Sequence, residues 1–169
     1  MKGMTGTLIS ALQQLVDGHD LSTELMTACM RQMMAGEASP VQMAAFLMGL
    51  RAKGESITEI TAAAAVMREF ATPVQLEVPF LVDMCGTGGD GAHTFNISTA
   101  AMFVVAGAGA AVAKHGGRSV SSKSGSADLL EHLGVVIGLS AQDTATCLQG
   151  CGVGFMFAPN HHAAMKHIA

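Results

Sequence analysis

The sequence predicts an α/β protein in which a small N-terminal helical bundle precedes a mostly parallel α/β sheet domain. Three observations carry that reading. Apolar residues at helical spacing, with capping residues opening the second, third and fourth runs, fill the chain to about residue 70. Pro73 and Pro79 then break the period, and short β-type runs alternate with helix-length segments across glycine clusters from Phe80 onward.

Leu8, Ile9, Leu12, Leu15 and Val16 form one apolar stripe on a first helix that Gly18 can end. Ser22 is a capping hydroxyl for a second helix running to about Gly36, with Leu21 and Met26 placed as a hydrophobic staple. Ser39-Pro40-Val41-Gln42 and Ser56-Ile57-Thr58-Glu59 are capping boxes for a third and a fourth helix, the latter reaching about Phe70. Met26, Met30, Met33 and Met34 share one helical face and belong to a core rather than to a cofactor. Residues 73–79 read as a linker between a helical domain, 1–72, and the first part of an α/β domain, 80–158. In the latter, Phe80–Cys85 is a strand, Ser98–Ala108 a helix and Ala110–His115 a second strand. Ser126–Leu133 is a helix stopped by Gly134, Val135–Ile137 a strand, Ser140 to about Gly150 a helix and Val153–Ala158 a further strand. Residues 159–169 read as the start of a new helix, with His161, His162 and His167 on its surface and no acidic or thiol partner at zinc-ligand spacing.

Composition narrows the function. The 169 residues carry 9 basic and 13 acidic side chains, a formal charge of −4, and only 13% are charged. Such a chain folds compactly, and it has no basic face to grip a nucleic-acid backbone or an anionic membrane. Its longest nearly uncharged apolar run, 100–113, is shorter than the ~20 residues that span a bilayer, and its N-terminus lacks the uniform apolar stretch of a secretory signal. A cytoplasmic location is expected. Cys29, Cys85, Cys147 and Cys151 form no CxxC pair and read as buried free thiols.

An open parallel sheet binds its ligand beyond the carboxyl ends of its strands, which directs attention to two loops. The first, 86–99, holds four glycines before the helix opening at Ser98-Thr99, so backbone amides, hydroxyls and a helix dipole converge there on an anion. Its GxGxxG wording is a weak dinucleotide match, because the helix starts too late and no acidic residue follows near twenty positions on. No P-loop spacing is present. The second loop, 114–126, gathers three basic residues, five hydroxyls and three glycines between a strand and a helix. Two such cradles point to a ligand with two phosphate-bearing ends, the shape of phosphoribosyl pyrophosphate.

Asp83-Met84-Cys85-Gly86-Thr87-Gly88-Gly89-Asp90, Thr94-Phe95-Asn96-Ile97-Ser98-Thr99, the segment 114–131 and Phe155-Met156-Phe157-Ala158-Pro159 closely resemble the anthranilate phosphoribosyltransferases. The resemblance runs through the whole chain and covers about the first half of a family member. It implies a nucleoside phosphorylase/phosphoribosyltransferase-like fold, a homodimer through the helical domain, and transfer of phosphoribose from phosphoribosyl pyrophosphate to the amine of anthranilate in tryptophan biosynthesis. By motif, Gly86, Gly89, Asp90, Thr94, Asn96, Ile97, Ser98 and Thr99 would line phosphoribosyl pyrophosphate, together with Lys114, His115, Gly116, Gly117, Arg118, Ser119, Val120, Ser121, Ser122 and Ser126. Gly86 and Gly117 would meet anthranilate, and Ser98 would be a ligand of Mg²⁺.

The reaction needs positioning and stabilisation of a departing pyrophosphate, for which Lys114, Arg118 and Mg²⁺ are suited, and no protein nucleophile. Asp90 would face a metal-bound water, a ribose hydroxyl or the incoming amine; His115 is either a base or a cap on the strand end. No residue is assigned a catalytic role. Gly117 stands where the family usually has Asn, His93 where it has Asn and Ala163 where it has Pro. The family's anthranilate-contacting arginine and its Asp-Glu magnesium pair fall beyond the matched half, so the 169-residue chain alone is expected to be poorly active. Alternatives are a pyrimidine nucleoside phosphorylase of the same fold and a non-catalytic helical dimerisation or binding module.

Overall fold

A computed structural model describes residues 5–86, 94–119 and 124–168. The chain divides into two compact units, Met1–Ala71 with His162–Ala169, and Thr72–His161.

In the first unit, helices α1 (Thr5–Val16), α2 (Thr23–Met34), α3 (Pro40–Lys53) and α4 (Ile57–Glu69) form where the capping chemistry starts them. Ser22 Oγ accepts from Leu25 N–H, and Ser39 with Gln42 and Ser56 with Glu59 close reciprocal capping boxes. Gly18 ends α1 with φ of 74°, a conformation that costs side-chain-bearing residues energy. The four methionines of α2 are buried with Leu8, Leu15, Phe46, Leu50 and Val66, so their spacing does mark a core.

One ion-pair network lies inside this unit. Glu59 Oε1 accepts from Leu21 N–H at 2.9 Å, and its Oε2 accepts from Ser56 N–H at 2.7 Å and from Lys53 Nζ at 2.9 Å. Lys53 also donates to Asp20 and to the Gly54 carbonyl. Burial alone would raise the Glu59 pKa, but the two amides and the ammonium outweigh it and hold the carboxyl below its usual range.

The second unit is built on a three-stranded parallel sheet of order β1-β2-β3, with β1 at Leu81–Val82, β2 at Ala111–Gly116 and β3 at Val153–Phe157. Helix α5 (Ile97–Gly107) joins β1 to β2, and α6 (Ser126–His132) and α7 (Ala141–Cys151) lie between β2 and β3. Central β2 is buried over its first four residues, and Val112 packs with Met102, Ala127, Leu130, Ile137 and Phe155.

Four sequence expectations are corrected. Residues 135–137 form no strand: Val135 N–H continues the helix end by donating to Leu130 O, and only Ile137 enters the core while Val136 stays 67% exposed. Both sides of β2 are taken by β1 and β3, so the run between Gly134 and Gly138 finds no place beside it. The chain end forms a four-residue helix α8 (Ala158–His161) and a 3₁₀ turn (Ala163–His167) instead of one helix. His161 is buried, because its Nδ1 lies 3.1 Å from Thr72 O while Thr72 N–H donates to His161 O. Finally, Cys29 alone is a buried thiol, its pKa pushed up to about 11 by burial; Cys85 and Cys151 are exposed and Cys147 is half-buried. No helix among the described residues is long and apolar enough to cross a membrane.

Candidate functional site

Parallel strands end side by side, so the segments that leave β1 and β2 emerge together at one edge of the sheet. The starts of α5 and α6 return the chain to the same edge. Hydrogen bonds tie these four segments to one another. Asp83 Oδ1 accepts from His115 N–H at 3.2 Å, and Lys114 Nζ donates to Met84 O at 2.7 Å and to Ser98 Oγ at 3.0 Å. Asn96 Nδ2 donates to Gly125 O at 3.2 Å, and Thr99 Oγ1 to Ser126 Oγ at 2.9 Å.

The structure therefore brings together Gly86, Asn96, Ser98, Thr99, Lys114, His115 and Ser126 from the two loops. Gly86 sits so close to Ser98 that a Cβ there would meet the hydroxyl at 3.0 Å. Asn96 does not cap its own helix with its side chain, having given its carboxamide to Gly125. Thr94 is exposed and Ile97 is 54% exposed. Gly89, Asp90, Val120, Ser121 and Ser122, and with them His93, lie outside the described residues.

Lys114 dominates the electrostatics. Its side chain is fully buried, its hydrogen bonds among the described residues go to two neutral oxygens, and no ion pair involves it there. Burial pushes the ammonium below the usual lysine range, with Cys85 and Asp83 partly opposing. A buried cation held by neutral groups is a strong attractor for an anion.

Arg118 is held by two carboxylates of α6. Its guanidinium donates to Asp128 at 3.0 Å and to both carboxylate oxygens of Glu131 at 2.8 and 3.1 Å, and lies 5.9 Å from the Phe157 ring centroid. Asp128, absent from the ligand set that the motifs imply, also accepts from Ser119 N–H at 2.9 Å and Gly125 N–H at 2.8 Å. Gly125 passes so near the other end of the loop that a Cβ would meet Ser119 N at 2.4 Å and Gly117 O at 2.7 Å. The backbone approach that demands glycine here arises from tertiary packing, which no local spacing announces.

For magnesium, the described residue that the motifs imply as a ligand is Ser98, whose Oγ has a lone pair besides the one facing Lys114. No group of three His, Cys, Asp or Glu side chains is gathered among the described residues. A hydroxyl beside an ammonium fits a divalent cation that arrives with phosphate oxygens among its ligands.

Comparison with known proteins defines the class. Residues 79–169 match the α/β domain of a glycosyl transferase family and residues 9–71 match that family's helical bundle domain, so the chain belongs to this glycosyl transferase family. Among its relatives, the anthranilate phosphoribosyltransferases of Leptothrix cholodnii and Laribacter hongkongensis are 63% and 62% identical, over 95% and 94% of this chain and 47% of each relative. The crystal structure of anthranilate phosphoribosyltransferase from Thermus thermophilus superposes with a TM-score of 0.84 at 45% identity, covering 94% of this chain and 48% of that one. The Saccharomyces cerevisiae enzyme in complex with PRPP and Mg gives 0.86 at 27% identity, covering 96% and 49%. The chain thus spans about half the length of the relatives it matches.

Proposed function

We propose that the chain carries the phosphoribosyl pyrophosphate-binding elements of an anthranilate phosphoribosyltransferase acting in the cytoplasm. In the reaction, the anthranilate amine forms a bond to the anomeric carbon of the ribose as the bond to pyrophosphate breaks. The observation that supports this most is the buried Lys114 ammonium bridging the exit of β1 to the first turn of α5, in a family whose close relatives bear this activity.

In this reading Lys114 and the α5 amino end hold the pyrophosphate, whose accumulating negative charge they stabilise as it departs. Asn96, Thr99 and Ser126 fix the two loops against each other, and Gly86 and Gly117 leave room for anthranilate. Magnesium, bound with Ser98 among its ligands, would neutralise leaving-group charge. Titration calorimetry of phosphoribosyl pyrophosphate with and without Mg²⁺ tests the assignment. Binding that requires the metal is expected; silence in both titrations overturns the reading.

A second copy of the chain is the proposed partner of the helical unit. Val41, Ala44, Ala45 and Met48 make an exposed apolar stripe on α3, with Val41 78% and Met48 65% exposed, on the side opposite buried Met43, Phe46 and Leu50. A helix that is apolar on both sides has an unburied face to cover. Sedimentation is expected to give a dimer that Met48→Glu converts to monomer; a monomeric wild-type chain at every concentration sinks the idea.

A further inference from the structure

We propose that Asp128 is the positioning residue of the second anion-binding loop, and that Arg118 is its strut and not a ligand of the phosphates. The proposal rests on the function proposed above and deepens its account of that site. Asp128 occupies the first turn of α6, where an acidic residue is ordinary for helix capping. Capping accounts for only one of its contacts, the Gly125 amide three residues back. The same Oδ2 also holds the Ser119 amide nine residues away, and Oδ1 takes the guanidinium of Arg118. One carboxylate thereby fastens both ends of the loop to the helix that Asn96 and Thr99 contact at Gly125 and Ser126.

Arg118 completes the clamp. Between Asp128 and Glu131 its charge is already matched by two carboxylates, and its planar group is laid toward Phe157. It screens those carboxylates from an arriving polyanion. Among the described residues the charge presented to phosphates then reduces to Lys114.

The two roles for Arg118 predict opposite responses to loss of Asp128. If Arg118 bound phosphate directly, Asp128→Asn would remove one of the two carboxylates competing for the guanidinium, and with it a repelling charge, and leave affinity equal or tighter. As a strut, Asp128→Asn weakens affinity for magnesium phosphoribosyl pyrophosphate at least about tenfold, Arg118→Met does the same, and the double variant is no worse than either single one. A tighter or unchanged Asp128→Asn, or additive losses, overturns the proposal. Amide exchange on the ligand-free chain provides a readout independent of the substrate. Ser119, Gly125 or both exchange about tenfold faster in Asp128→Asn while Val112 and Leu130 keep their protection, because a neutral carboxamide is a weaker acceptor than the carboxylate for the two amides and turns an N–H₂ toward the Arg118 guanidinium. Unchanged exchange at both sites, or equal acceleration at Val112, counts against it. If the wild-type chain binds no phosphoribosyl pyrophosphate, the proposed function falls, and the exchange data alone decide the clamp.

Discussion

Replacing Lys114 with Met is expected to lower affinity for magnesium phosphoribosyl pyrophosphate by about 100-fold, the ~3 kcal/mol of a charge-assisted hydrogen bond in a buried site. Thermal stability should be equal to or above that of the wild type. The two effects separate because folding bears the desolvation of the ammonium against only the Met84 carbonyl and the Ser98 hydroxyl, whereas an anion supplies the missing opposite charge. An unbranched side chain of similar length fills the same space without that penalty. In the wild type, affinity should also fall as pH rises through the depressed pKa of Lys114, because bound anion favours the protonated form. Calorimetry of both proteins across alkaline pH checks the pair of statements. Wild-type affinity in Lys114→Met, or a flat pH profile below the usual lysine range, would refute the assignment.

Glu59→Gln is expected to destabilise the helical unit by about 2–3 kcal/mol, the loss of charge-assisted hydrogen bonds at a buried carboxylate while Asp20 keeps Lys53 paired. The side chains of Glu59 and Lys53 are 1% and 5% exposed, so solvent does not screen their loss. The substituted amide also turns an N–H₂ toward one of the donors that Glu59 serves, at Leu21, Ser56 or Lys53. The pH signature follows from the lowered carboxyl pKa. Near and below the unfolded-state value of about 4.3 the unfolded chain binds more protons at Glu59 than the folded one. This stabilisation is fully present above that value and is lost as pH falls through the folded pKa. Urea unfolding at neutral and acid pH measures both quantities; a loss under about 1 kcal/mol at neutral pH would show that the pair contributes little.

These two residues also show what the sequence made legible. Glu59 was readable as the third residue of a capping box, and that local role is present. Its bonds to Leu21 and Lys53 depend on how α2 and α3 meet α4, and no periodicity encodes that. Lys114 stood in a recognisable motif, yet its complete burial and its reach back to Met84 follow from the parallel pairing of β1 and β2. Capping hydroxyls, helix-spaced methionines and strand-helix alternation are short-range signals, and they gave the architecture. The strand expected at 135–137 and the surface position expected for His161 failed for one reason: each was decided by a distant partner, an occupied sheet neighbour or the Thr72 backbone. The clamp at Asp128 was hidden likewise, since an acid in a first helical turn looks like a cap.

Asn96 lends its carboxamide to Gly125 and not to the amides of α5, so each helix start leans on the other's loop. Disturbing either one loosens its neighbour, and a molecule that steadies one pre-arranges the second. Under the proposed function, the two halves of the cradle are therefore expected to respond as a single cooperative element, with occupancy of one end raising the affinity of the other.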